Sequence, residues 1–221
     1  MKLHIKINFL SDYMISSGMG DGFLSDSMLV RDSNGIIYIP GRAVKGALRE
    51  GATFLNKLNR SDIKAASLYF FGSKDVEDEN KSSNKQGHIS VSSANLPKDI
   101  YCALLNLDTY RKDVVSDLTC QRVQTALENG QVKSHSLRTI ECGVMGTVFE
   151  SELSVDCPQE LNEFALDYFS SVCAAVKSMG GGRSRGFGTC VLSVEFDNKK
   201  RIVKLPETLS KEQESMLSEN N

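Results

Sequence analysis

Residues Ser178–Gly188 read SMGGGRSRGFG, five glycines and two arginines in eleven residues, between an apolar run of helical period and an apolar run of strand period. The order restricts the fold. Dinucleotide and P-loop cradles run strand, glycines, helix, whereas here a helix precedes the glycines and a strand follows them, which excludes both. The remaining reading is a loop whose glycines Gly180, Gly181 and Gly182 let the backbone come within hydrogen-bond range of phosphates, with Arg183 and Arg185 supplying charge. A flexible linker would not need two arginines or Phe187 at the start of the next strand.

The flanking patterns extend to the whole chain. Leu3 to Phe9 alternates as a half-buried strand. SSGMGDGFLSDS, 16–27, reads as a loop beside that strand's end, and SMLVRDSNGIIYIPG as a hairpin around Asn34-Gly35. Val44, Leu48, Phe54, Leu55 and Leu58 predict a helix after Pro40-Gly41, and SDIKAASLYFF a second one closed by Gly72. The polar run KDVEDENKSSNKQG then reads as a loop, HISVSSANL as a strand, GTVFESELSV as another, and Pro158 to Met179 as a helix beginning at proline. FGTCVLSVEF is the last strand. This gives strand, helix, strand, strand, helix, strand, the α+β ferredoxin-like (RRM-like) βαββαβ order, as one domain over 1–196. Residues of about 97–142 lack a clean period and read as a projecting insertion ending in a hairpin around Asn129-Gly130. From 197 to 221 the chain turns polar and reads as a frayed tail.

Composition limits the partners. The net charge of −2 gives no global attraction for nucleic acid, so any anionic partner must be held by local Arg and Lys clusters. The six cysteines are widely spaced without a C-x-x-C pair and read as reduced thiols. No apolar run approaches the roughly 20 residues of a membrane span, and MKLHIKINFL is not a signal-peptide core, so a cytoplasmic protein is expected.

Three further places carry charge. In IPGRAVKGALRE, Lys45 and Arg49 fall on one helix face and Arg42 at its start, where free N–H groups attract phosphate; a solvated face with Glu50 as partner is the plainer alternative. CQRVQTALENGQVKSHSLRT places Arg122, Lys133 and Arg138 on one hairpin, able to hold phosphates while Val123 or Leu127 wedges between bases, or else simply a polar surface. Asp21 and Asp26 stand in the first loop, where spacing alone reads them as turn residues.

Five segments in order, IPGRAVKGALRE, LYFFGS, GHISVSSANL, RTIECGVMGTVFESEL and GGGRSRGFG, resemble the RAMP superfamily of CRISPR effector proteins. Within it, the length resembles the backbone subunits of type III complexes, which stack along a guide RNA, and the insertion resembles their thumb hairpin. The resemblance implies partners: guide CRISPR RNA, complementary target RNA, other effector subunits and copies or relatives of itself. It also implies that an aspartate of the first loop, matched by Asp26 in DSMLVRD, cleaves the target RNA as an endoribonuclease within the complex. Such a loop carboxylate could make the 2′-hydroxyl nucleophilic, or hold a divalent metal, Mg2+, that relieves the charge of the leaving oxygen. The sequence departs from the family at Met14, where members often carry histidine. A scaffold without nuclease activity is one alternative. A stand-alone, metal-free guide-processing endoribonuclease using His135 is the other, with no second histidine well placed beside it.

Overall fold

The computed structural model describes residues 1–16, 18, 27–72, 86–125, 127–128, 131–132, 136–197 and 199–219. Strand β1 (Lys2–Phe9) is followed by helices α1 (Gly41–Leu55) and α2 (Ser61–Phe71) and strand β2 (Ile89–Val91). The insertion holds α3 (Lys98–Leu105), α4 (Arg111–Asp117), β3 (Thr119–Gln124), the short β4 (Leu127–Glu128) and β5 (Gln131–Val132), and β6 (Arg138–Gly143). Then come β7 (Val148–Val155), α5 (Asn162–Ala175), β8 (Cys190–Phe196), β9 (Lys199–Lys200) and α6 (Lys211–Glu219).

The main sheet runs β2-β7-β1-β8-β9 with antiparallel pairing throughout, the strand order a βαββαβ chain must adopt to pair its first and third core strands. Strict alternation along β1 buries Leu3, Ile5, Ile7 and Phe9 and exposes the residues between them. Those side chains meet Val44, Leu48, Ala52 and Leu55 of α1 and Phe169 and Val172 of α5 in one apolar core. Each of the larger of these side chains, Val, Leu, Ile and Phe, stabilises the fold by about 1.5–3 kcal/mol on burial. The predicted helical face is rotated at two positions: Phe54 and Leu58 are exposed, because the buried stripe continues through Ala52 and Leu55 instead.

The sheet's outer face is charged, with Lys2 on Glu152 at 2.8 Å and Lys6 on Glu150 at 4.0 Å. On that face β1, β7 and β8 point no Phe, Tyr or Trp outward, and His4 is its one ring able to stack on a base. At the free edge beyond β2 one carbonyl is capped from α1: Lys45 Nζ donates to the Ile89 carbonyl at 3.1 Å.

Two sequence expectations change. The insertion does end in a hairpin, Thr119–Gln124 against Arg138–Gly143, but two helices precede it, each too short to show a period and anchored by the buried Leu104 and Val115. Its turn, Asn129-Gly130, lies outside the described residues. The polar end is not frayed. Leu209 and Leu217 are buried, Arg201 bridges Asp167 and Glu163 at 2.9 and 2.8 Å, and Arg60 joins Asp62 to the Pro206 carbonyl. Two buried leucines and three engaged guanidinium contacts are enough to dock it on α2 and α5. Among the described residues no helix is long and apolar enough to cross a membrane.

Candidate nucleic-acid interface

The glycine loop follows directly from the end of α5, whose last turn gives way to extended backbone at Val176. A bridge between Ser178 and Thr189 closes its neck, and Arg183–Arg185 form one 3-10 turn at its tip. Gly180 has φ near +90°, and a Cβ there would stand 2.4 Å from the Met14 carbonyl oxygen; Gly188 has φ near +74° and would meet the Met179 carbonyl at 2.0 Å. Any larger residue would break the loop at either point. Gly181 N–H donates to Met14 O at 2.7 Å and Gly188 N–H to Asp12 O at 2.7 Å, so the loop is laced to the first loop by main-chain bonds. Two of the three glycines expected to approach phosphate, Gly180 and Gly181, thus face Met14 closely. Gly182 lies between the Met14 sulfur and the Phe187 ring. The residue standing in place of the family's histidine therefore packs under the loop. At the tip, the opening N–H groups of the 3-10 turn have no acceptor within the turn, as at any helix start.

The hairpin presents one face to this loop. Cys120, Arg122 and Gln124 lie opposite Cys142, Ile140 and Arg138, and paired residues share a side. Arg185 Nη1 donates to Gln124 Oε1 at 2.7 Å, and Arg122 pairs with Asp12. Burial pushes the Asp12 carboxyl up, but the Arg122 guanidinium and the Met145 N–H outweigh it and hold its pKa below the usual value. Burial pushes the Cys142 thiol up to about 12 and raises Cys120 as well, which disfavours the reactive thiolate at both.

The end of the first loop joins the same place. Tyr13 exchanges both main-chain bonds with Gly143 at 2.9 Å, and Glu141 N–H donates to Ser27 O at 3.0 Å. Arg31 pairs with Glu141 at 2.5 Å, while the other Glu141 oxygen accepts the Leu29 N–H at 2.9 Å. Asp26 lies outside the described residues, as do Asp21, Lys133 and His135; its chain neighbour Ser27 is seated on β6.

The remaining expected cations divide. Arg183 Nη1 reaches Glu50 at 2.6 Å with both side chains exposed, and Arg138 and Arg42 are exposed on the surface. Lys45 and Arg49 are half-buried and turned inward, onto the Ile89 and Phe71 carbonyls. Burial, with Arg49 adding repulsion, lowers the Lys45 pKa. The structure therefore brings Arg122, Arg138, Gly180, Gly181, Gly182, Arg183 and Arg185 to one junction and leaves Lys45 and Arg49 as props of the core. Asp12, Gln124 and Glu141 were missed, because an aspartate after a serine at a strand's end reads as a turn and pairing 110 residues away leaves no local signal.

Among the described residues no group of three or more His, Cys, Asp or Glu side chains is placed to hold a metal ion. A groove of about 190 Å³ lies beside Arg183 and Glu50, and larger ones of about 660 and 580 Å³ lie beside Arg201 and at the β2 edge.

The chain resembles solved CRISPR structures. It covers 97% of a chain of a type III-B Cmr-beta complex bound to cognate target RNA, with 88% of itself aligned, 14% identity and a TM-score of 0.65. A chain of the apo type III-B Cmr-beta complex aligns over 90% of this chain and 99% of its own at 16% identity and a TM-score of 0.61. A chain of a type IV-B CRISPR complex aligns over 96% and 98%, at 16% identity and a TM-score of 0.58. No curated protein matches the sequence significantly. The model of the RAMP superfamily matches residues 6–191, from within β1 to within β8, and with most of the core and the whole glycine loop inside that match the chain belongs to the RAMP superfamily.

Proposed function

We propose that the chain is a backbone subunit of a type III CRISPR ribonucleoprotein, binding guide RNA without sequence preference and cutting the paired target RNA through Asp26. The observation that carries the binding part is the junction of the glycine loop, the first loop and the insertion hairpin, where Arg138, Arg183 and Arg185 lie in the open on the surface of a net-negative chain. An extended anion crossing this junction would meet the N–H groups of the loop tip and several guanidinium groups in turn, while the acidic remainder of the surface would repel it. The similar chains come from complexes described as type III-B and type IV-B, one of them bound to target RNA, which supports assembly with other subunits. Assembly with copies or relatives of itself, in the cytoplasm, belongs to the same proposal.

For cleavage, the 2′-oxygen of the target must lose its proton and attack the adjacent phosphorus in line, expelling the 5′-oxygen. The Asp26 carboxylate is the group assigned to this step, by general-base action, and Mg2+ dependence belongs to the same proposal. Asp26→Ala in a reconstituted complex tests it. Loss of target cleavage with guide and target binding retained is expected; unchanged cleavage would remove Asp26 from the reaction, and absence of cleavage in the parent complex would make the chain a guide-binding scaffold. Chelation of divalent cations is expected to stop cleavage in the parent.

A further inference from the structure

Asp12 sits where three otherwise separate pieces of chain meet. Its main-chain oxygen accepts the Gly188 N–H at 2.7 Å, from the glycine loop. Carboxylate Oδ1 accepts the Met145 N–H at 3.2 Å, from the turn between β6 and β7. Oδ2 accepts two N–H groups of Arg122, the Nε one at 3.1 Å, and the Cys120 thiol at 3.7 Å, both from β3. The Asp12 side chain is 17% exposed and that of Arg122 54%.

We propose that Asp12 is a positioning residue that fixes the insertion hairpin against the glycine loop, and that Arg122 serves this lock and is not a ligand of RNA phosphate. The second half rests on the RNA-binding reading; the first does not. A guanidinium with two N–H groups on one carboxylate oxygen is a charge-assisted, directional pair. Handing Arg122 to a phosphate would leave a mostly covered carboxylate beside that phosphate, with its best donor lost and a like charge added. Arg183 differs, because Glu50 and Arg183 are 61% and 44% exposed and an exposed pair is cheap to exchange. The lock also gives the hairpin a fixed height over the loop, since it acts at the hairpin's base, on Cys120 and Arg122.

The test uses the full chain with Asp12→Asn, Arg122→Ala and the double variant. Amide hydrogen exchange without RNA reads the lock, and affinity for a mixed-sequence single-stranded RNA across a salt series reads the ligand. Each single variant is expected to speed exchange in Thr119–Gln124 and Arg138–Gly143 by on the order of tenfold, leaving β1 and β7 unchanged, with the double variant no faster than the singles. RNA affinity is expected to fall by the same factor in both singles, with the slope of log affinity against log salt unchanged. Unchanged exchange in Asp12→Asn overturns the lock. A slope smaller by about one in Arg122→Ala, with tighter RNA binding in Asp12→Asn, overturns the second half and makes Arg122 a phosphate ligand with Asp12 its competitor. If the parent binds no RNA, the functional reading fails while the exchange data still decide the lock.

Discussion

Helix α1 and the glycine loop carry the same cationic side chains and use them in opposite ways. On α1, Lys45 and Arg49 are half-buried and donate to the carbonyls of Ile89 and Phe71, tying the helix to the start of β2 and the end of α2. On the loop, Arg183 and Arg185 are exposed and rest on the side chains of Glu50 and Gln124. A buried carbonyl cannot be replaced by solvent at low cost, whereas an exposed carboxylate or amide can. The partner of a cation, and not the cation itself, therefore separates a structural residue from an available one. By that criterion the RNA-contact role expected for Lys45 and Arg49 has less support than that of the loop arginines.

The largest expected effect tests the structural side. Arg49→Ala removes a charge-assisted hydrogen bond to Phe71 and should destabilise the fold by about 1.5–3 kcal/mol. In a chain of this length that lowers the thermal midpoint by roughly 5–10 °C, read by circular dichroism because the chain has no tryptophan. RNA affinity per folded molecule is expected to stay the same. A fall in affinity with an unchanged midpoint would return Arg49 to the RNA surface.

The loop should respond in the reverse sense. Arg183→Ala and Arg185→Ala are each expected to weaken binding to RNA of any sequence by several-fold and to reduce the salt slope by about one, because each removes one phosphate contact. The thermal midpoint should barely move, since exposed pairs contribute about 0–1 kcal/mol. If both variants lose stability and keep their affinity, the comparison is reversed and the loop is a structural clasp.

How much of this was legible follows from where each signal lies. The βαββαβ core was readable because Leu3 to Phe9 alternates and the apolar residues of α1 and α5 recur at helical spacing, so burial is written into local sequence. Helices α3 and α4 were not, being eight and seven residues long with few buried side chains each. The docked end was missed because Leu209 and Leu217 show no period among polar residues and the exposed Ile202, Val203 and Leu205, and their burial depends on α2 and α5. At the site, residue types were legible and partners were not. Whether Arg49 faces a carbonyl 22 positions away, or Arg183 a carboxylate 133 away, is decided by packing and leaves no trace in spacing.

A third kind of cation sharpens the contrast. Arg60 pairs with Asp62, which is only 1% exposed and also accepts the Leu209 N–H at 3.4 Å. Burial raises the Asp62 pKa, but hydrogen bonds from Arg60 and the main chain outweigh it and hold the pKa below the ordinary 3.8. A carboxyl depressed in the folded state contributes stability that is fully present above its unfolded pKa and is lost as pH falls through the folded one. Acidification below about pH 4 should therefore loosen residues 201–219 before the sheet, visible as faster amide exchange in that segment first. Asp62→Asn should flatten this dependence, and an unchanged acid response in that variant would assign it to other carboxylates.

The smallest expected effect is at Arg42, which belongs to neither set. It is exposed in the first turn of α1, and that turn contains no acidic residue. A cation at the positive end of a helix opposes the folded chain's own electrostatics, by about 0.3–1 kcal/mol where it is not screened. Arg42→Ala should thus raise stability by a few tenths of a kcal/mol. If α1 also opens onto the RNA path, the same variant should bind RNA more weakly, so stability and affinity would move in opposite directions. Joint movement, or a change in stability alone, would confine the RNA path to the glycine loop and the hairpin, and would remove the last α1 residue from the interface.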